Sequence, residues 1–94
     1  MQPPYKETFV NELKENSKVA VSGFIIEKNE NSIVINDSTG NLPIIIQTSL
    51  GLNTFVRIFG YYSNGSLQAN FIQDLNNINK QIYNKAKLIL NQKQ

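Results

Sequence analysis

The chain contains no cysteine and no histidine. Without cysteine there is neither a disulfide framework nor a thiolate metal site. Without histidine it lacks the commonest general base near neutral pH and the commonest metal ligand. No stretch approaches the ~20 apolar residues of a membrane-spanning helix, so no membrane association is expected. The opening Met1-Gln2-Pro3-Pro4-Tyr5 lacks the basic and then apolar regions of a secretory signal. Asn36-Asp37-Ser38 and Asn64-Gly65-Ser66 match the glycosylation pattern but are therefore read as turns, and the cytoplasm, or the nucleus of a eukaryotic cell, is the expected location. No Ser/His/Asp or Cys/His set, phosphate-binding loop or dinucleotide fingerprint is present, so neither an enzyme nor a cofactor is expected. Glu27, Glu30 and Asp37 sit at two neighbouring turns, where oxygen ligands could in principle hold a divalent ion. Turn acids are ordinarily just solvated, and no metal site is expected.

Charge is also scarce, and its distribution says more than its sum. The 94 residues carry a net charge of +2 and suit a single domain. Residues 1–17 hold Lys6 and Lys14 against Glu7, Glu12 and Glu15. Residues 18–75 hold Lys18, Lys28 and Arg57 against Glu27, Glu30, Asp37 and Asp74. Residues 76–94 hold Lys80, Lys85, Lys87 and Lys93 with no acid. A dedicated nucleic-acid binder carries a basic face, because phosphate contacts supply most of its affinity. Here only the tail is basic.

What is present is a series of short strand patterns. Two of them centre on glycine: Val19-Ala20-Val21-Ser22-Gly23-Phe24-Ile25-Ile26 and Val56-Arg57-Ile58-Phe59-Gly60-Tyr61-Tyr62. Glycine inside a strand marks a bulge or a tight bend. The spacing predicts five strands, at 18–28, 32–36, 42–48, 54–62 and 67–73. In the fourth, Val56, Ile58 and Gly60 point one way and Arg57, Phe59 and Tyr61 the other. In the fifth, Leu67, Ala69 and Phe71 oppose Gln68, Asn70 and Ile72. Asp37-Ser38-Thr39-Gly40-Asn41 is rich in turn formers, and Asn64-Gly65 is a strong signal for a type I′ hairpin. Residues 1–17 read as an arm with one or two helical turns over Thr8–Glu15, which could plug one end of a barrel.

Residues 76–94 read as an amphipathic helix, capped by Asp74 or Asn76. Leu75, Ile78, Ile82, Tyr83, Ala86, Ile89 and Leu90 fall within an arc of about 140°. That is wider than one core face requires, so Ile82, Tyr83, Ala86, Ile89 and Leu90 are candidate partner-binding residues. The expected fold is thus all-β with a terminal helix: a five-stranded barrel over 18–75, a C-terminal α-helix and a short N-terminal helix.

The order of these motifs resembles the oligonucleotide-binding (OB) fold. More narrowly it resembles the middle subunit of replication protein A and its telomere-capping counterpart Stn. The resemblance rests on Val19, Val21, Gly23, Ile33, Ile35, Asp37, Thr39, Gly40, Val56, Ile58, Gly60 and Leu75 and spans roughly residues 18–90. The chain departs from that family in lacking its phosphorylatable N-terminal tail and C-terminal winged-helix domain, and in its very short first turn. It equally resembles a minimal archaeal accessory subunit of a replicative DNA polymerase.

The resemblance implies a non-catalytic subunit of a DNA replication or repair complex. OB domains stack bases on exposed aromatics and clamp them with loops. The candidate nucleic-acid-binding residues are accordingly Phe24, Lys28, Arg57, Phe59, Tyr61 and Tyr62, with single-stranded DNA, or RNA, as a weakly held partner and other protein subunits as further partners. The alternative is a pure protein adaptor, in which those rings are covered by packing.

Overall fold

The computed structural model describes residues 5–76. They form six strands: β1 (Lys6–Glu7), β2 (Ser17–Lys28), β3 (Ser32–Asn36), β4 (Asn41–Ile45), β5 (Phe55–Ser63) and β6 (Ser66–Asp74). The sheet runs β1-β2-β3-β4-β6-β5 and closes through a β2–β5 pairing. Five strands, β2 to β6, therefore make the barrel, and β1 is a two-residue parallel addition to β2. The β4–β6 contact is parallel, with Ile44 opposite Leu67 and Ile45 opposite Gln68; the other barrel pairings are antiparallel.

Alternation along each strand fills the barrel. Val21, Ile25, Ile33, Ile35, Leu42, Ile44, Val56, Ile58 and Leu67 are fully or almost fully buried. Burying each such side chain contributes about 1.5–3 kcal/mol. The fully buried core is entirely aliphatic, and among the described Phe and Tyr residues only the half-buried Tyr62 packs against it.

Two irregularities shape the walls. Between the pairs Gly60–Ala69 and Phe59–Phe71, β6 advances two residues while β5 advances one. Asn70 is the extra residue of a bulge. A Cβ on Gly60 would lie 2.3 Å from the Gln68 carbonyl oxygen, so only glycine allows the two backbones to meet there. Gly23 has the same role on β2, where a Cβ would lie 2.7 Å from the Asn36 oxygen. The β5–β6 hairpin turns on Asn64 and Gly65, with φ of 55° and 80°, as a type I′ turn requires.

The expected fold class is corrected on its helices. In place of an N-terminal helix there is a three-residue 3-10 turn, Val10–Glu12. The described residues include no α-helical element, and Asp74, a candidate cap for the terminal helix, ends strand β6. Only the last two described residues, Leu75 and Asn76, have helical backbone. The rest of that expected helix, with Ile82, Tyr83, Ala86, Ile89 and Leu90, lies outside the described residues.

The N-terminal segment crosses the barrel as a strap. Val10 and Leu13 pack against the core. Asp37 Oδ2 accepts the Val10 amide at 2.7 Å, and Thr39 Oγ1 accepts the Asn11 amide at 3.1 Å. At the strap's other end both Glu15 carboxylate oxygens accept the Asn64 amide.

Candidate nucleic-acid interface

Apart from Tyr62, the strand rings are turned outward, and the register gathers them. Phe55, Arg57, Phe59 and Tyr61 occupy alternate positions of β5, opposite the inward Val56, Ile58 and Gly60. Across the β2 pairing they meet Phe24, Ser22, Ala20 and Lys18 respectively. Phe24 and Phe55 are in ring contact, with centroids 4.8 Å apart. On the other flank Phe59 meets Phe71 of β6 at 6.4 Å, edge to face. The strip thus holds two ring clusters, with Arg57 between them. Phe55 and Phe59 are about 13 Å apart along the strand.

The bulge at Asn70 places Phe71 in this strip. Simple alternation puts Phe71 on the core side with Leu67 and Ala69. The extra residue reverses the phase, so Ile72 packs against the core while Phe71 is 60% exposed. Phe59, Phe71, Ile72, Gln73 and Tyr5 line one shallow groove. Phe9, Ser22, Phe24, Asn36, Ser38 and Phe55 belong to a second.

The strip's charge is nearly balanced. Arg57 Nε stands 3.1 Å from Glu7 Oε1, without the alignment of a hydrogen bond. Lys18 Nζ lies 5.1 Å from the centroid of the Tyr5 ring, a cation–π distance. Asn70 Nδ2 donates to the Tyr5 hydroxyl at 2.9 Å. Among the described residues no group of three or more acidic side chains could hold a metal ion. Asp37 is engaged in the turn and the strap.

Of the residues singled out in the sequence, Phe24, Arg57, Phe59 and Tyr61 come together on this outer surface. Tyr62 does not: it is on the inward side of β5 and packs against the core. Lys28 lies at the far end of β2, opposite Ile33, away from the strip. The strip also gathers Phe55, Phe71 and Tyr5, which were not singled out in the sequence. Phe55 was legible, since it shares the period of Arg57 and Phe59. Phe71 was hidden by the bulge, and nothing in the local pattern ties Tyr5 to β5.

The strip is not on the barrel face that usually carries bases. In OB folds that face is formed by the second and third barrel strands, here β3 and β4. Their outward residues are Ser32, Val34, Asn36, Asn41, Pro43 and Ile45, with no aromatic ring and no charge. The rings are on β2, β5 and β6.

This five-stranded closure, with its parallel β4–β6 contact, is an OB barrel. Solved structures agree. The telomere capping protein Ten1 from Saccharomyces pombe superposes with a TM-score of 0.67 at 14% identity, covering 89% of this chain and 99% of that one. A chain of the S. pombe Stn1-Ten1 complex gives 0.67 at 14% identity, covering 93% and 96%. The hypothetical protein ygiW from E. coli gives 0.61 at 19% identity, covering 76% and 91%. No protein-family model and no curated protein matches the sequence. At these identities the likeness establishes the OB fold.

Proposed function

We propose that this chain is a non-catalytic OB-fold accessory subunit that holds single-stranded nucleic acid across the outer surface of β2, β5 and β6. The observation that carries this reading is the outward strip itself, with the Phe24–Phe55 and Phe59–Phe71 ring pairs on either side of Arg57. Bases stack on rings for about 1–3 kcal/mol each, with little regard to sequence. Two bases of an extended strand, with one nucleotide between them, would use the two ring clusters, and a phosphate of the intervening stretch would meet Arg57. With so few cations, binding is weak and salt-sensitive. The resemblance in the sequence supports service in a DNA replication or repair complex. One of the similar structures is of a two-protein complex, which supports a protein partner. The cytoplasm, or a nucleus, is where such a ligand lies.

Fluorescence-anisotropy titration of a labelled oligo-dT, at low and at physiological salt, tests this. Micromolar binding that weakens with salt and with Phe59→Ala supports it. Absence of binding at low salt favours the second reading, a protein adaptor, which the uncharged β3–β4 face, free of aromatic rings, also suits.

A further inference from the structure

The Arg57–Phe59 part of this strand path is already occupied by the chain itself. The Tyr5 ring stands edge-on to Phe59, with centroids 5.4 Å apart. The Glu7 carboxylate stands 3.1 Å from Arg57 Nε. Two residues apart on extended backbone, Tyr5 and Glu7 project to one side, about 7 Å apart. A ring beside Phe59 and an anion beside Arg57 are the two contacts that a nucleotide would make there.

We propose that Tyr5–Glu7 is a built-in competitor, which single-stranded nucleic acid displaces when it binds. This rests on reading the strip as the nucleic-acid site. The backbone attachment of this segment is slight. Strand β1 pairs with β2 through Lys6–Val19 and Glu7–Ala20 only, and both of its residues are exposed. The Thr8 amide adds one bond to the Ala20 carbonyl at 3.0 Å. Behind it the strap is held by Asp37 and Thr39 and by the packing of Val10 and Leu13. The front can therefore lift while the rest stays in place.

The ion pair is of the weak kind, since the Arg57 and Glu7 side chains are 39% and 59% exposed. A phosphate arriving at Arg57 also releases the counterions of the strand, which the carboxylate cannot do. The carboxylate opposes binding without preventing it, and it turns away a ligand that offers rings but no anion. Tyr5 is the tighter of the two contacts, because Asn70 and Lys18 also hold its ring.

The test is a double-mutant cycle on the full chain with labelled oligo-dT at low salt. Glu7→Gln is expected to bind about twofold to fivefold more tightly than wild type. That gain is expected to vanish in the Arg57→Ala background. Tyr5→Ala, which uncovers Phe59, is expected to bind at least as tightly as wild type. If wild type binds but Glu7→Gln binds equally or more weakly, or if Tyr5→Ala loses affinity, the competitor is overturned while the nucleic-acid reading stands. If neither wild type nor Glu7→Gln binds, the nucleic-acid reading itself fails, and the competitor with it.

Discussion

The carboxylate of Asp37 accepts the amide of Val10 at 2.7 Å, across 27 positions of sequence. It joins the β3–β4 turn to the strap that crosses the barrel. The other oxygen, Oδ1, accepts the Thr39 amide, the Thr39 hydroxyl and the Gly40 amide. One carboxylate thus shapes its own turn and anchors a distant segment.

Its ionisation should therefore be coupled to stability. Desolvation raises the Asp37 pKa, but the Thr39 hydroxyl and the amides of Val10, Thr39 and Gly40 outweigh it, leaving the group below its ordinary value. A folded-state pKa below the unfolded one gives stability that is present above the ordinary carboxylate range. It is lost as pH falls through the folded value. Asp37→Ala is expected to cost about 1–3 kcal/mol at neutral pH and to flatten that acid dependence. Urea unfolding at pH 7 and at successively lower pH checks both; an unchanged midpoint at pH 7 would contradict the anchoring role.

The two barrel glycines should be irreplaceable where another is not. Gly60→Ala drives a methyl to 2.3 Å from a backbone oxygen, and a loss of about 3 kcal/mol or more is expected, at the upper end of overpacking costs. Gly51 has open space around it and no positive φ. Gly51→Ala is expected to be neutral or to stabilise by up to about 1 kcal/mol. Thermal unfolding of the two variants, side by side, separates a steric cause from a general sensitivity to mutation.

Core and strip should respond oppositely. Ile58 is wholly buried, and Ile58→Ala is expected to cost about 2–5 kcal/mol. Phe71 is mostly exposed, so Phe71→Ala is expected to change stability by no more than about 1 kcal/mol. If the strip is the strand site, Phe71→Ala nevertheless weakens oligo-dT binding by about 1–3 kcal/mol. A Phe71→Ala variant that keeps both its stability and its affinity would remove Phe71 from the site.

The barrel walls were legible in the sequence because alternation and glycine placement are local signals. Val56, Ile58 and Gly60 face inward as their period requires, and Asn64-Gly65 makes its turn. Strand β6 was legible only up to Asn70, because a bulge is set by the partner backbone and not by the residues beside it. The strap was misread for a related reason. Phe9, Val10 and Leu13 have helical spacing, but the hydrogen bonds of Val10 and Asn11 go to Asp37 and Thr39, partners that no local window contains. Tyr5 reaches the strip through Phe59, again a partner beyond any local window, whereas Tyr62, expected on the surface, packs against the core in the same phase as Val56, Ile58 and Gly60, so its placement was legible.

The β3–β4 face offers a contrasting test. It is the usual base-carrying face of the fold, yet here it presents Val34, Pro43 and Ile45. Ile45→Glu, which adds an anion at an exposed position, is expected to leave oligo-dT affinity within about twofold of wild type, because phosphate repulsion falls off beyond ~10 Å at 0.1 M salt. A marked loss would move the strand path to that face.

The most direct measurement is amide chemical-shift mapping of the isotopically labelled chain as unlabelled oligo-dT is added. Shifts concentrated at Ser22, Phe24, Arg57, Phe59 and Phe71, with Glu7 changing as its contact is broken, are expected if a strand lies across β2, β5 and β6. Shifts confined to Val34 and Asn41–Ile45, or none at saturating oligonucleotide, would contradict it.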